Sequence, residues 1–131
     1  YIQNGIHDST ITQFKYNNGI EGHIFVSWLH PFKEHRLVFI GSKAMITFDD
    51  SSENKPLKFY SKKIDMAHGV PEKIDGSVQN IIYEQKLPLT EELLYFIKHL
   101  DGKLLKKANA QNALDITKIL VEAGSKLEQK L

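Results

Sequence analysis

Nine consecutive residues, Trp28-Leu29-His30-Pro31-Phe32-Lys33-Glu34-His35-Arg36, gather an indole, two imidazoles, an ammonium and a guanidinium in one short stretch. Arginine can grip a phosphate or carboxylate through two parallel N–H bonds. Lys33, His35 and Arg36 are therefore candidates for holding an anionic group of a ligand, with Trp28 as a fourth candidate binding residue. The alternatives are plain ones: Trp28 as sheet core, as its aromatic bulk favours, and residues 30–35 as a solvated connection. His23, His30 and His35 raise the question of a metal, but no carboxylate stands at ligand spacing, so no metal site is expected. Asp49-Asp50 could be a paired-carboxylate site, although capping of a strand-to-loop junction explains it more simply. Lys103 to Lys107 reads as a solvated basic loop. No nucleophile sits beside a base in a pattern that supports a hydrolase.

Composition narrows the classes further. The chain has 131 residues, 41% of them hydrophobic and 25% charged, and a net charge of +1. That length fits one domain. So balanced a charge leaves no electrostatic case for nucleic acid or an anionic membrane. There is no cysteine, which excludes disulfides and thiolate chemistry. No apolar run approaches the roughly 20 residues that span a bilayer, and nothing at the N-terminus resembles a signal peptide. A cytoplasmic location is the default expectation. The chain starts at Tyr1 rather than Met, which suggests a piece of something longer.

The elements that must position these residues can be read in order. Asp8 to Tyr16 alternates in the manner of a half-buried strand, and Asn17-Asn18-Gly19 is a hairpin turn with Gly19 in a left-handed bulge. A three-residue loop sets Tyr16 opposite Ile20, Lys15 opposite Glu21, Phe14 opposite Gly22 and Ile11 opposite Phe25, which pairs opposite charges and covers a glycine with an aromatic ring. Strands are expected at Ile20 to Leu29, Arg36 to Ile40 and Met45 to Phe48, with Leu29 pairing Arg36 and Ile40 pairing Met45. One face would then collect Ile24, Val26, Trp28, Leu37, Phe39, Ile46 and Phe48. The other still carries Phe25, Leu29, Val38, Ile40 and Met45, more apolar than a wet sheet face usually is. It is expected to meet another domain or subunit.

Asp49 to Pro56 is a loop, and Leu57 to Ser61 and Val78 to Tyr83 are short strands. Lys62 to Ser77 has no clear period and reads as a long irregular connection. Thr90 is the expected N-cap of a helix running to about Leu100, with Leu89 and Leu94 as a hydrophobic staple and Leu93, Phe96, Ile97 and Leu100 inward. A second helix should run from about Asn109 to about Leu127, with Ala113, Ile116, Leu120, Ala123 and Leu127 as its apolar stripe.

Gly19-x-x-Gly22, Ser27-Trp28-Leu29, Pro31, Lys33, Arg36, Gly41-Ser42-Lys43 and Phe48-Asp49-Asp50, followed by Pro88-Leu89-Thr90-Glu91-Glu92-Leu93 and the Asn112 to Ala123 helix, resemble in order and spacing the C-terminal domain of the Gfo/Idh/MocA oxidoreductases. This is the family of glucose–fructose oxidoreductase and inositol dehydrogenase, and the likeness covers nearly the whole chain. It implies an α+β fold: a mainly antiparallel open sheet with helices packed on one face, the other face serving the substrate cleft and oligomer contacts. It also implies a preceding dinucleotide-binding domain, NAD or NADP as its cofactor, and hydride transfer at a carbon of a sugar or, in the members that look most similar, a nucleotide sugar. Trp28, Lys33, His35 and Arg36 become substrate-binding candidates, the last three toward the phosphates.

The departures matter equally. A dinucleotide site needs a G-x-G-x-x-G turn between strand and helix, and none occurs, so this chain alone is expected to bind no cofactor. The family's catalytic lysine belongs to a Glu-Lys-Pro motif of the absent domain, and Asn54-Lys55-Pro56 lies too late in the chain to be its counterpart. His7 lacks the aspartate four residues earlier that accompanies the family's catalytic histidine, position 3 being Gln. No catalytic residue is assigned, and the chain alone is expected to be inactive. The competing reading is a free-standing, non-catalytic binding or dimerisation module built on the same sheet.

Overall fold

The computed structural model describes residues 2, 4–66 and 69–128, and the statements below concern those residues. Eight strands and two helices follow one another in the order expected of an α+β chain, and all the pairings with a defined register are antiparallel. The strands form a two-stranded hairpin, β1 (Ser9–Lys15) with β2 (Glu21–Ser27); a four-stranded sheet in which β3 (Arg36–Ile40), β4 (Met45–Asp49), β5 (Leu57–Tyr60) and β8 (Val78–Ile81) lie side by side; and a second hairpin, β6 (Lys63–Asp65) with β7 (Glu72–Ile74).

Turn chemistry sets the first hairpin. The Tyr16 amide donates to the Ile20 carbonyl at 2.9 Å, the Gly19 amide donates to the Tyr16 carbonyl at 3.0 Å, and Gly19 has φ +81°, a conformation that strains any residue with a Cβ. At the open end the Trp28 amide donates to the Asp8 carbonyl at 2.8 Å. Tyr16 with Ile20 and Asp8 with Trp28 belong to one register, so the hairpin runs without an inserted residue. Lys15 Nζ meets Glu21 Oε1 at 3.0 Å, as that register requires.

The four-stranded sheet confirms Ile40 opposite Met45 and extends the register to Leu37 opposite Phe48 and Phe39 opposite Ile46. Ile46 then faces Phe59, and Leu57 faces both Phe48 and Ile81. Directly opposed residues share a face. Leu37, Phe39, Ile46, Phe48, Leu57, Phe59 and Ile81 therefore form one apolar face, while Val38, Ile40, Met45, Tyr60 and Val78 share the other with polar residues.

Five expectations need correction. Leu29 does not pair with Arg36: β2 ends at Ser27, whose Oγ accepts the Leu29 amide at 3.1 Å, and β2 and β3 lie in different sheets. Pro31, which offers no amide hydrogen, follows at once. Ile24, Val26 and Trp28 therefore do not extend the face of Leu37 and Phe39. The stretch from Lys62 to Ser77 is not irregular but holds β6 and β7, with Lys63 opposite Ile74 and Asp65 opposite Glu72. Its base is sewn to the sheet by the Ser61 amide donating to the Ser77 carbonyl at 3.0 Å. Finally, the first helix, α1 (Pro88–Lys98), begins two residues before Thr90. Proline's preset φ and missing N–H suit the first helical position, so Leu87 is the N-cap residue and its carbonyl accepts from the Glu91 amide at 3.1 Å. The staple of Leu89 and Leu94 depended on Thr90 and falls with it.

The second helix, α2 (Ala110–Glu128), starts where expected, with Asn109 Oδ1 accepting the Asn112 amide at 2.8 Å. Between the helices, the Tyr95 hydroxyl accepts the Lys106 and Lys107 amides at 3.1 and 3.2 Å. The chain divides into two units, one of residues up to Thr10 with Val26–Glu84 and the other of Ile11–Phe25 with Gln85 onward. Among the described residues none is buried. Phe39 and Ile40, on opposite faces of the sheet, are 62% and 75% exposed, and the stripe residues Phe96 and Leu120 are exposed as well.

Candidate functional site

The densest set of polar contacts lies at the rim of the four-stranded sheet, where β3 begins and β4 ends. Arg36 opposite Asp49 is the last pair of that ladder, and the next step brings His35 to Asp50. The Asp50 amide donates to the His35 carbonyl at 2.9 Å, the His35 amide donates to Ser51 Oγ, and His35 Nδ1 lies 2.9 Å from Asp50 Oδ2. Lys55 Nζ takes the other carboxylate oxygen, Oδ1, at 2.7 Å. Lys55, at φ +39°, is held in turn through its carbonyl, which accepts the Tyr83 hydroxyl at 2.7 Å.

Electrostatics follow from that geometry. Lys55, with His35 second, holds the Asp50 carboxyl below its ordinary value of 3.8, so Asp50 is ionised at neutral pH and the hydrogen on His35 Nδ1 points at it. Among the described residues Nε2 has no partner. Asp50 in turn holds the Lys55 ammonium above 10.5, which makes Lys55 a poor proton acceptor. Asp49 plays the capping role: its Oδ1 accepts the Ser51 and Ser52 amides at 2.9 and 3.2 Å, and its Oδ2 accepts the Ser52 hydroxyl at 2.8 Å. The Ser52 hydroxyl, then the Ser51 amide, keep its carboxyl below the ordinary range.

The four candidate binding residues are distributed unevenly. His35 and Arg36 stand side by side at this rim, but each is engaged by a carboxylate, Arg36 Nη2 lying 2.8 Å from Glu34 Oε1. An anion arriving here competes with Glu34 or uses the remaining guanidinium hydrogens. Lys33 makes no hydrogen bond or ion pair with the described residues. Trp28 is not sheet core: it is 81% exposed and lines an open groove of about 300 Å³ with His7, Asp8, Ser9, Thr10, Val26 and Ser27. No family model, no curated protein and no solved structure matches the chain. The resemblance therefore rests on the residues that carry it.

Two features escaped the sequence reading. The His35–Asp50–Lys55 cluster was within reach, because extending the register of Ile40 and Met45 by five pairs puts His35 opposite Asp50. The groove was not, since it depends on residues 7–10 closing against 26–28. Among the described residues no group of three or more histidine, cysteine, aspartate or glutamate side chains could hold a metal ion, and no helix is long and apolar enough to cross a membrane.

Proposed function

We propose that the chain is the substrate-binding and oligomerisation part of an NAD(P)-dependent oxidoreductase acting on a sugar or nucleotide sugar, working with a dinucleotide-binding domain that supplies the cofactor. The ordered motifs from Gly19 to Ala123 support the oxidoreductase class. One structural observation supports its being a part rather than a self-sufficient enzyme: apolar side chains on both faces of the four-stranded sheet stay exposed, and contiguous apolar surface of this kind marks contacts with further protein. Hydride would pass between a sugar carbon and the nicotinamide. This chain would orient the sugar, through Trp28 and the Lys33, His35 and Arg36 rim, and bring copies together through the sheet.

The test joins the chain to the dinucleotide-binding domain of its gene product and follows NAD(P)H absorbance with a panel of sugars and nucleotide sugars. Turnover with at least one of them is expected, and none with the chain alone. Stoichiometric NAD(H) binding by the 131-residue chain in calorimetry would overturn the division of labour. The same exposed faces also suit a non-catalytic dimerisation module, and self-association in light scattering without turnover in any combination would favour that reading.

A further inference from the structure

The turn between β1 and β2 carries chemistry that neither strand uses. Asn18 is followed by Gly19, and both are exposed. The amide carbon of an asparagine side chain is an electrophile within reach of the next residue's backbone nitrogen, and their union closes a succinimide ring. A side chain on that next residue crowds the closure. Glycine has none, and nothing lies within 4 Å of where a Cβ of Gly19 would stand. Asn17, Asn54, Asn80, Asn109 and Asn112 each precede a residue with a side chain. Asn4 also precedes a glycine but lies outside the strands, where no register depends on it. Asn18 Oδ1 accepts the Ile20 amide at 3.2 Å, an arrangement that lays the side chain along Gly19 and draws electron density from Cγ, the atom to be attacked. Opposing the reaction, the Gly19 amide donates to the Tyr16 carbonyl at 3.0 Å, which occupies the attacking nitrogen. That bond sits at an exposed turn of a two-stranded hairpin, a marginal structure in water, and it can open locally while the strands stay paired.

We propose that Asn18 is a modification site, where spontaneous deamidation to isoaspartate uncouples the β1–β2 hairpin. The Gly19 nitrogen gives its proton to hydroxide and attacks Asn18 Cγ. The N–Cγ bond forms, the Cγ–Nδ2 bond breaks, and Nδ2 leaves as ammonia with a proton taken from water. Water then opens the ring, with no change of oxidation state. Breaking the new N–Cγ bond gives aspartate, whereas breaking the original peptide bond leaves the chain running through Cβ and Cγ as isoaspartate. Either product puts a carboxylate in place of an amide and lowers the net charge by one from +1. The consequences for the fold differ. Aspartate keeps an oxygen for the Ile20 amide and leaves the turn its length. Isoaspartate adds a methylene to the main chain, and hairpin register is set by loop length, so the pairings of Tyr16 with Ile20 and Lys15 with Glu21 are lost.

The test incubates the full chain in mildly alkaline buffer, with and without urea, and maps the products by peptide mass spectrometry using electron-transfer fragmentation, which separates aspartate from isoaspartate. Conversion at Asn18 is expected in the folded chain, first order in hydroxide. Its rate should lie within about tenfold of the rate in urea, the factor that one net hydrogen bond supplies. Hydrogen exchange then reads the hairpin: the isoaspartyl fraction should lose protection of the Tyr16 amide, while the N18D variant, with the same charge and an unaltered main chain, should keep it. Asn18 left intact in the folded chain after the urea-treated chain has reacted overturns the proposal. So does unchanged Tyr16 protection in the isoaspartyl fraction, or an equal loss in N18D, which would assign the effect to charge rather than turn length.

Discussion

The β1–β2 hairpin and the four-stranded sheet solve the same problem with different means. In the hairpin, two strands are held by their own ladder, a glycine turn and one exposed ion pair between Lys15 and Glu21. In the sheet, β4 and β5 are half-buried between neighbours. Its rim is knotted by side chains from loops far apart in sequence: His35 and Lys55 on Asp50, Ser51 on the His35 amide, and Tyr83 on the Lys55 carbonyl. A two-stranded hairpin alone is marginal in water, and three or more strands with a covered apolar face are needed for independence. The difference teaches that local turn chemistry is enough to align strands but not to keep them.

Perturbations should rank accordingly. The largest effect is expected at Gly76, where an added Cβ would overlap the backbone carbonyl of Ser61. Ser61 donates its amide and its hydroxyl to the Ser77 carbonyl, so Gly76→Ala must part β5 from β8. A loss of about 1–3 kcal/mol is expected, as for overpacked sites, read as lost amide protection at Ser61 and along β5 in hydrogen exchange. Unchanged protection there would show that the sheet does not depend on this close approach.

Gly19→Val comes next. Nothing crowds the position, so the cost is that of the left-handed backbone, on the order of 1–2 kcal/mol. Its effect should stay local, with protection lost at Tyr16 and the β6–β7 hairpin untouched. Spread of the loss into the four-stranded sheet would erase the contrast between the two regions.

The smallest effect is expected from Asp50→Asn or from acid, because the cluster is open to solvent and screened. Asp50 titrates below its ordinary 3.8 in the folded chain. Its contribution is therefore present above 3.8 and is lost as pH falls through the lower folded value. Lys55, held above 10.5, contributes below 10.5, and its contribution is lost only as pH rises through its higher folded value. The side-chain carboxyl carbon signal of Asp50 should thus show its own titration below 3.8; a carboxyl titration of Asp50 well above that value would contradict the pairing.

Legibility in the sequence followed the distance over which information had to travel. Asn17-Asn18-Gly19 and Gly41-Ser42-Lys43-Ala44 are tight turns, and the registers they impose, Tyr16 on Ile20 and Ile40 on Met45, were readable because two or three backbone angles decide them. The link from Leu29 to Arg36 was not, since six intervening residues with Pro31 permit either pairing or separation. The β6–β7 hairpin hid behind short strands rich in lysine, aspartate and glutamate, whose alternation is too brief to show a period. The start of α1 was misplaced because two legitimate signals, Pro88 and Thr90, competed, and proline's fixed geometry prevailed.

By itself, then, the sequence determined the kinds of elements, their order, the two tight-turn registers and the apolar content of the sheet, because each depends on residues a few positions apart. Tertiary structure decided the rest: that β2 leaves β3, that Asp50 rather than a ligand receives His35 and Lys55, and that Trp28 stands in a groove instead of a core. Those outcomes depend on which distant backbone segment arrives beside a side chain, and no local spacing encodes that.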